Sequence, residues 1–216
     1  TAVSASASAR YARSNIDAPK PATTLLLNRE VPVEDLGMLY AFAAPEASVK
    51  NQALSQILAR HLRVRAFETL RTEEQLGYAA GGGALDLYKH PMVILYIQTP
   101  VKGPQEMLDR FTAYTEEYRD ELAALPEASF EKFKAGVLTA LTEPPKNLSA
   151  EAGPFVSDWA TEHYDFDTRA KLIAAVNAAT LQDVQRFYEE TVFSEASSRI
   201  VIQLRGKRYS ERPFAT

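Results

Sequence analysis

From Thr23 onward the chain breaks into short stretches of β type, TTLLL, REVPV and GMLYAF, in which Met38, Tyr40 and Phe42 alternate with Leu39 and Ala41. At least one strand should end near Ala44. The period then changes. Leu54, Ile57, Leu58 and Leu62 fall on one stripe of a helix that starts near Ser48, extends through Phe67 and Leu70, and is expected to stop at Gly77. Tyr78–Leu87 and Met92–Thr99 read as a hairpin closed by Tyr88, Lys89, His90 and Pro91. Met107, Phe111, Tyr114, Tyr118 and Leu122 follow Gly103-Pro104 at helical spacing, and Phe130, Phe133, Val137, Leu138 and Leu141 repeat it after Pro126. Pro144-Pro145 should stop that second helix. Ser149, Asp167 and Thr180 are candidate caps of three more helices, Thr180 forming a box with Asp183, and SRIVIQLR is a closing strand. This order predicts an α+β fold, a two-layer sandwich with a mostly antiparallel sheet and helices packed on one face. Residues 1–22, small, polar and broken by prolines, read as a linker or N-terminal arm, and 23–216 as a single domain.

Composition narrows the chemistry. At 216 residues and 46% hydrophobic the chain can bury one ordinary core without cross-links. The absence of cysteine removes thiol catalysis and thiolate metal sites. The net charge of -4 shows no basic face for nucleic acid, and no apolar run reaches the roughly 18 residues of a membrane-spanning helix. Neither a nucleic acid nor a membrane is an expected partner; a soluble chain in either the periplasm or the cytoplasm fits. The start at Thr1 is read as a cut, processed or cloned end.

No complete active site is spelled out. His61, His90 and His163 lie in no His-Glu-x-x-His or reversed pattern, so this chain is expected to bind no metal. There is no Gly-x-Ser-x-Gly elbow, and Gly81–Gly83 lacks the rest of a phosphate loop. The triplet reads as a loosely packed strand segment that another backbone could approach. What remains is RTEEQLGY, Arg71 to Tyr78, where a helix gives way to a strand. A guanidinium and a phenol are groups suited to hold a peptide carbonyl and the charge that grows on its oxygen. Equally, Arg71 could be a solvated ion-pair partner of Glu73 and Glu74, and Tyr78 ordinary strand packing.

With Leu70 before it, this segment resembles the Leu-Arg-Thr-x-Glu-Gln-Leu-Gly-Tyr signature of the pitrilysin and insulin-degrading-enzyme family of zinc metallopeptidases, the inverzincins. Tyr96-Ile97-Gln98, Pro145 to Glu151, Tyr164 to Asp167 and Thr180 to Tyr188 are similar to further family segments in the same order. The resemblance implies the last of four α+β domains, arranged in two halves that close around a peptide. It implies that zinc is held by the other half, that Arg71 and Tyr78 bind substrate across the chamber, and that the chain is inactive alone. Alanines and glycines after Tyr78, in AAGGGALD, are smaller than the family pattern and leave substrate preference open. A non-catalytic scaffold or peptide-binding module of the same fold is the alternative reading.

Overall fold

A computed structural model describes residues 22–87 and 89–216; the 1–22 arm, Ala22 apart, and the Tyr88 turn position lie outside the described residues. Five strands form one sheet: β1 (Thr24–Glu30), β2 (Leu36–Ala43), β3 (Ala79–Leu87), β4 (His90–Thr99) and β5 (Ser198–Arg205), in the order β1-β5-β2-β4-β3. The β1–β5 pair is parallel and the other three are antiparallel. Six α-helices stand among the described residues: α1 (Val49–Ala66), α2 (Pro104–Ala123), α3 (Glu127–Thr142), α4 (Leu148–Ala160), α5 (Thr168–Ala178) and α6 (Leu181–Tyr188). The α+β sandwich expected from the alternation is the fold observed.

Alternation fixes which face meets the helices. Met38, Tyr40 and Phe42 stand opposite Ile97, Leu95 and Val93 on β4, and this face joins Leu54, Ile57, Leu58 and Leu62 of α1 and Phe111, Tyr114 and Tyr118 of α2 in one buried core. Each such side chain contributes about 1.5–3 kcal/mol on leaving water. Leu39, Ala41 and Ile94 belong to the opposite face, in a smaller apolar cluster.

Three boundaries differ from the sequence expectation. REVPV supplies the end of β1 and then the turn to β2, because Pro32 cannot donate to a ladder. Asn147 rather than Ser149 caps α4, its side-chain oxygen accepting from the Ala150 N–H at 2.9 Å. The first helix ends before Gly77, after a π-helical turn over Phe67–Glu73. The cap at Thr180 has the expected form, with Asp183 reaching back to the Thr180 N–H at 3.1 Å.

Two of the three histidines, His61 and His90, are tied into this frame by their side chains. His61 is buried, sharing a 3.0 Å hydrogen bond between Nδ1 and the Tyr118 hydroxyl and packing against the rings of Tyr118 and Phe133. His90 donates from Nε2 to the Ala44 carbonyl at 2.6 Å. Burial holds the His61 pKa below its ordinary value of 6.5, although Glu121 pulls the other way. A lowered histidine pKa means that the unfolded chain takes up the proton first. The stability this group confers is complete above pH 6.5 and declines as pH falls from there toward the folded value. Urea unfolding midpoints should therefore drop as pH falls below 6.5, and His61→Gln, which keeps a polar partner for Tyr118, should flatten that drop.

Candidate functional site

The geometry of RTEEQLGY begins with the helix before it. Ser48 caps α1 by accepting from the Asn51 N–H at 3.2 Å, and the helix runs to Ala66 without a breaker. It then widens into the π turn, closed by the Glu74 N–H donating to the Thr69 carbonyl at 2.9 Å. Leu70 and Leu76, both buried, pin the two ends of the segment to the core. Between them the chain reverses through Gln75, whose φ of 53° is left-handed. Gly77 contributes a close approach rather than the helix stop expected of it. A Cβ there would lie 2.0 Å from the Gln98 carbonyl oxygen, so only glycine lets the chain run flush against the end of β4. Tyr78 emerges immediately afterwards, 85% exposed, and β3 begins at Ala79.

Arg71 and Tyr78 are brought together. The guanidinium carbon of Arg71 lies 4.6 Å from the Tyr78 ring centroid and 4.5 Å from that of Phe67, so the planar cation sits against two aromatic rings. Such contacts are worth about 0.5–1 kcal/mol each at exposed sites, and they restrict the side chain without consuming its hydrogen-bond donors.

Among the described residues the alternative pairing of Arg71 with Glu73 and Glu74 does not form. Glu74 instead accepts from the Arg110 Nε at 2.9 and 3.0 Å, and Glu117 takes a further nitrogen of the same guanidinium at 2.8 Å. These carboxylates, Glu74 foremost, hold the Arg110 pKa above its ordinary value. Among the described residues no carboxylate lies within ion-pairing distance of Arg71, and the Tyr78 hydroxyl makes no hydrogen bond. The arrangement therefore offers an unneutralised guanidinium and a phenolic O–H side by side. Both can donate to carbonyl or carboxylate oxygens.

Two supporting residues escaped the sequence reading. Phe67 stands four positions before Arg71, a spacing that puts both on one helix face and was there to be read. Arg110, which anchors Glu74 from α2, is 36 residues away and left no local signal. The glycine triplet is packed closely at two of its three positions. A Cβ on Gly82 would lie 2.6 Å from Leu62 of α1, and one on Gly81 would lie 2.9 Å from the Tyr96 hydroxyl, so side chains fill the space on the sheet faces there, whereas Gly83 is open. Among the described residues no three His, Cys, Asp or Glu side chains converge on a point that could hold a metal ion.

Residues 57–156 match the family model described as PQQ synthase PqqF-like, C-terminal lobe domain 4, which takes in the whole segment from Phe67 to Tyr78. The A-factor-processing enzyme of Saccharomyces cerevisiae is 29% identical over 155 residues, 72% of this chain and 15% of that protein. Protease 3 of Escherichia coli strain K12 is 25% identical over 164 residues, 76% of this chain and 17% of that protein. The chain thus spans less than a fifth of the length of these relatives. The crystal structure of pitrilysin shares the fold, with a TM-score of 0.83 at 22% identity over 91% of this chain and 21% of its own.

The seat of Gly77 on β4 gives a direct check of the segment's geometry. Gly77→Ala drives a methyl group into a backbone carbonyl that cannot rotate away. It should cost at least about 2 kcal/mol in urea unfolding, whereas Gly83→Ala, with nothing within 4 Å of its Cβ, should cost less.

Proposed function

From the premise that this chain is homologous to the C-terminal lobes of pitrilysin-type metallopeptidases, we propose that it supplies the substrate-gripping side of a zinc peptidase whose metal is carried elsewhere. That carrier is the N-terminal half of the same polypeptide or a partner subunit. The observation that carries the reading is the state of Arg71: a guanidinium held by the rings of Phe67 and Tyr78, with its charge unspent on any described carboxylate.

Each residue then has a distinct task. Arg71 donates its planar fork to a carbonyl of a bound peptide and fixes the register of that peptide. Stacking on the two rings means that little rotational freedom is lost when the hydrogen bonds form. Tyr78 donates its O–H to the carbonyl next to the bond that breaks, and its hydrogen bond strengthens as negative charge develops on that oxygen. Loss of a single donor of this kind typically costs about 2.7–4 kcal/mol in the transition state once water is excluded. Phe67 and the Glu74–Arg110 pair are positioning residues: the first holds the cation, and the second holds the turn that carries it. The hydrolytic water and the Lewis acid belong to the zinc-bearing part.

The test uses the chain together with that zinc-bearing part. Arg71→Ala and Tyr78→Phe should each lower kcat/KM on a peptide substrate at least about tenfold. Arg71→Lys should recover little, because an ammonium lacks both the planar stack and the paired donors. Turnover unchanged in Arg71→Ala and in Tyr78→Phe removes the assigned role and leaves a peptide-binding or scaffold module.

A further inference from the structure

Helix α1 and the π turn that continues it carry Gln52, Gln56, Arg60, Arg63, Phe67 and Arg71 at steps of three or four residues, which places them along one stripe. That stripe follows β3 in the opposite direction. At one end Gln52 donates to Asp86 of β3 at 2.8 Å, in the middle Leu62 lies against Gly82, and at the other end Arg71 meets Tyr78. Strand β3 is the terminal strand of the sheet, so among the described residues its outer edge has no strand neighbour.

Beside that edge is a cavity of about 340 Å³ between α1, β3 and α3. Gln56, Arg60 and Arg63 line one side of it, and Ala84, Val137 and Leu141 give it an apolar floor; no carboxylate lines it. Arg60 is oriented by donating to the Gly136 carbonyl at 2.7 Å. Arg63 is exposed and has no ion pair among the described residues. Arg65, two residues on and on a different face, is already neutralised by Glu121 and Glu68. Two guanidinium groups over an apolar floor, with no acid among the described residues to answer them, call for a carboxylate on a short aliphatic stem.

We propose that this cavity is a specificity subsite for an aspartate or glutamate of an extended peptide that runs along the outer edge of β3. The inference rests on the reading of Arg71 and Tyr78 as a peptide grip. It adds where the peptide goes next and what it must carry. Ala84 lies six residues beyond Tyr78, about 20 Å in an extended strand. Arg63 lies eight residues before Arg71, about 12 Å along a helix. The acidic side chain therefore falls about four to six residues from the peptide bond held at Tyr78, at about 3.3 Å per residue. Main-chain pairing with the strand edge supplies affinity that is indifferent to sequence, and the cavity supplies the selection.

The experiment is a titration of the 216-residue chain with paired extended peptides, followed by amide NMR shifts. The pair differs only in Glu or Gln about five residues from the centre. The Glu peptide should bind about five- to tenfold more tightly than its Gln isostere, with shifts in Arg60, Arg63 and Ala84. Arg63→Gln should erase the difference, and Arg63→Glu should turn it into a preference for Lys at the same position. Both substitutions are at an exposed site, and circular dichroism checks that the fold is kept. Equal affinity of the Glu and Gln peptides for the unaltered chain overturns the proposal. So does a Glu preference that survives Arg63→Glu, and so does an absence of binding by either peptide up to about 5 mM. Arg71→Ala should weaken both peptides by the same factor. If it and Tyr78→Phe leave both affinities untouched while the Glu preference still depends on Arg63, the grip at Arg71 falls and the subsite stands.

Discussion

The seating of α1 on the outer strand of the sheet is the contact on which the remaining features depend. Leu62 occupies the space a Cβ on Gly82 would claim, 2.6 Å from its Cγ, so the helix approaches β3 more closely than any side chain at that position would allow. Close approach makes helix and strand one rigid ledge. Its polar stripe then faces along the strand edge, and the last turn of the helix delivers Arg71 to the point where β3 begins. A bulkier residue at Gly82 would lift the helix and move every group on that stripe with it.

Electrostatics at the end of the ledge follow a division of labour between two arginines. Arg110 is largely enclosed and binds Glu74 and Glu117 through several nitrogens, an arrangement that rigidifies the turn and leaves little free charge. Arg71 is restrained by rings instead. Aromatic contact localises a guanidinium while leaving its N–H groups unsatisfied by protein, and a cation in that condition is competent to meet a ligand oxygen. Had Glu74 paired with Arg71, the same residues would have made an inert surface bridge. The competing partner on α2 is what prevents it.

Legibility varied with the range of the interaction. Alternation in GMLYAF and the three- and four-residue spacing in α1 and α2 identified strands and helices because those signals are repeated within a few residues. Boundaries were less legible at Asn147 and Gly77. Asn147 and Ser149, two positions apart, can each cap α4, and only the backbone geometry chooses between them. A glycine near a helix end suggests a stop, whereas at Gly77 the reason for glycine is a carbonyl on β4, 21 positions later in the chain. The same limit applied to the site. The local sequence put Arg71 and Tyr78 forward together with an ion-pair alternative, and nothing local could decide between them, because the deciding residue, Arg110, lies on another helix.

The amino-acid sequence by itself determined the α+β class, the order of the elements, the lack of thiol chemistry and the segment that holds the candidate grip, since these follow from residue type and short-range period. The tertiary structure alone decided that Arg71 stacks between Phe67 and Tyr78, that Glu74 is withdrawn to Arg110, and that Arg60 and Arg63 overlook a cavity beside a terminal strand. Charge neutralisation and close backbone approach are settled by distance in space, and a chain of 216 residues brings together groups whose separation in sequence carries no trace of their contact.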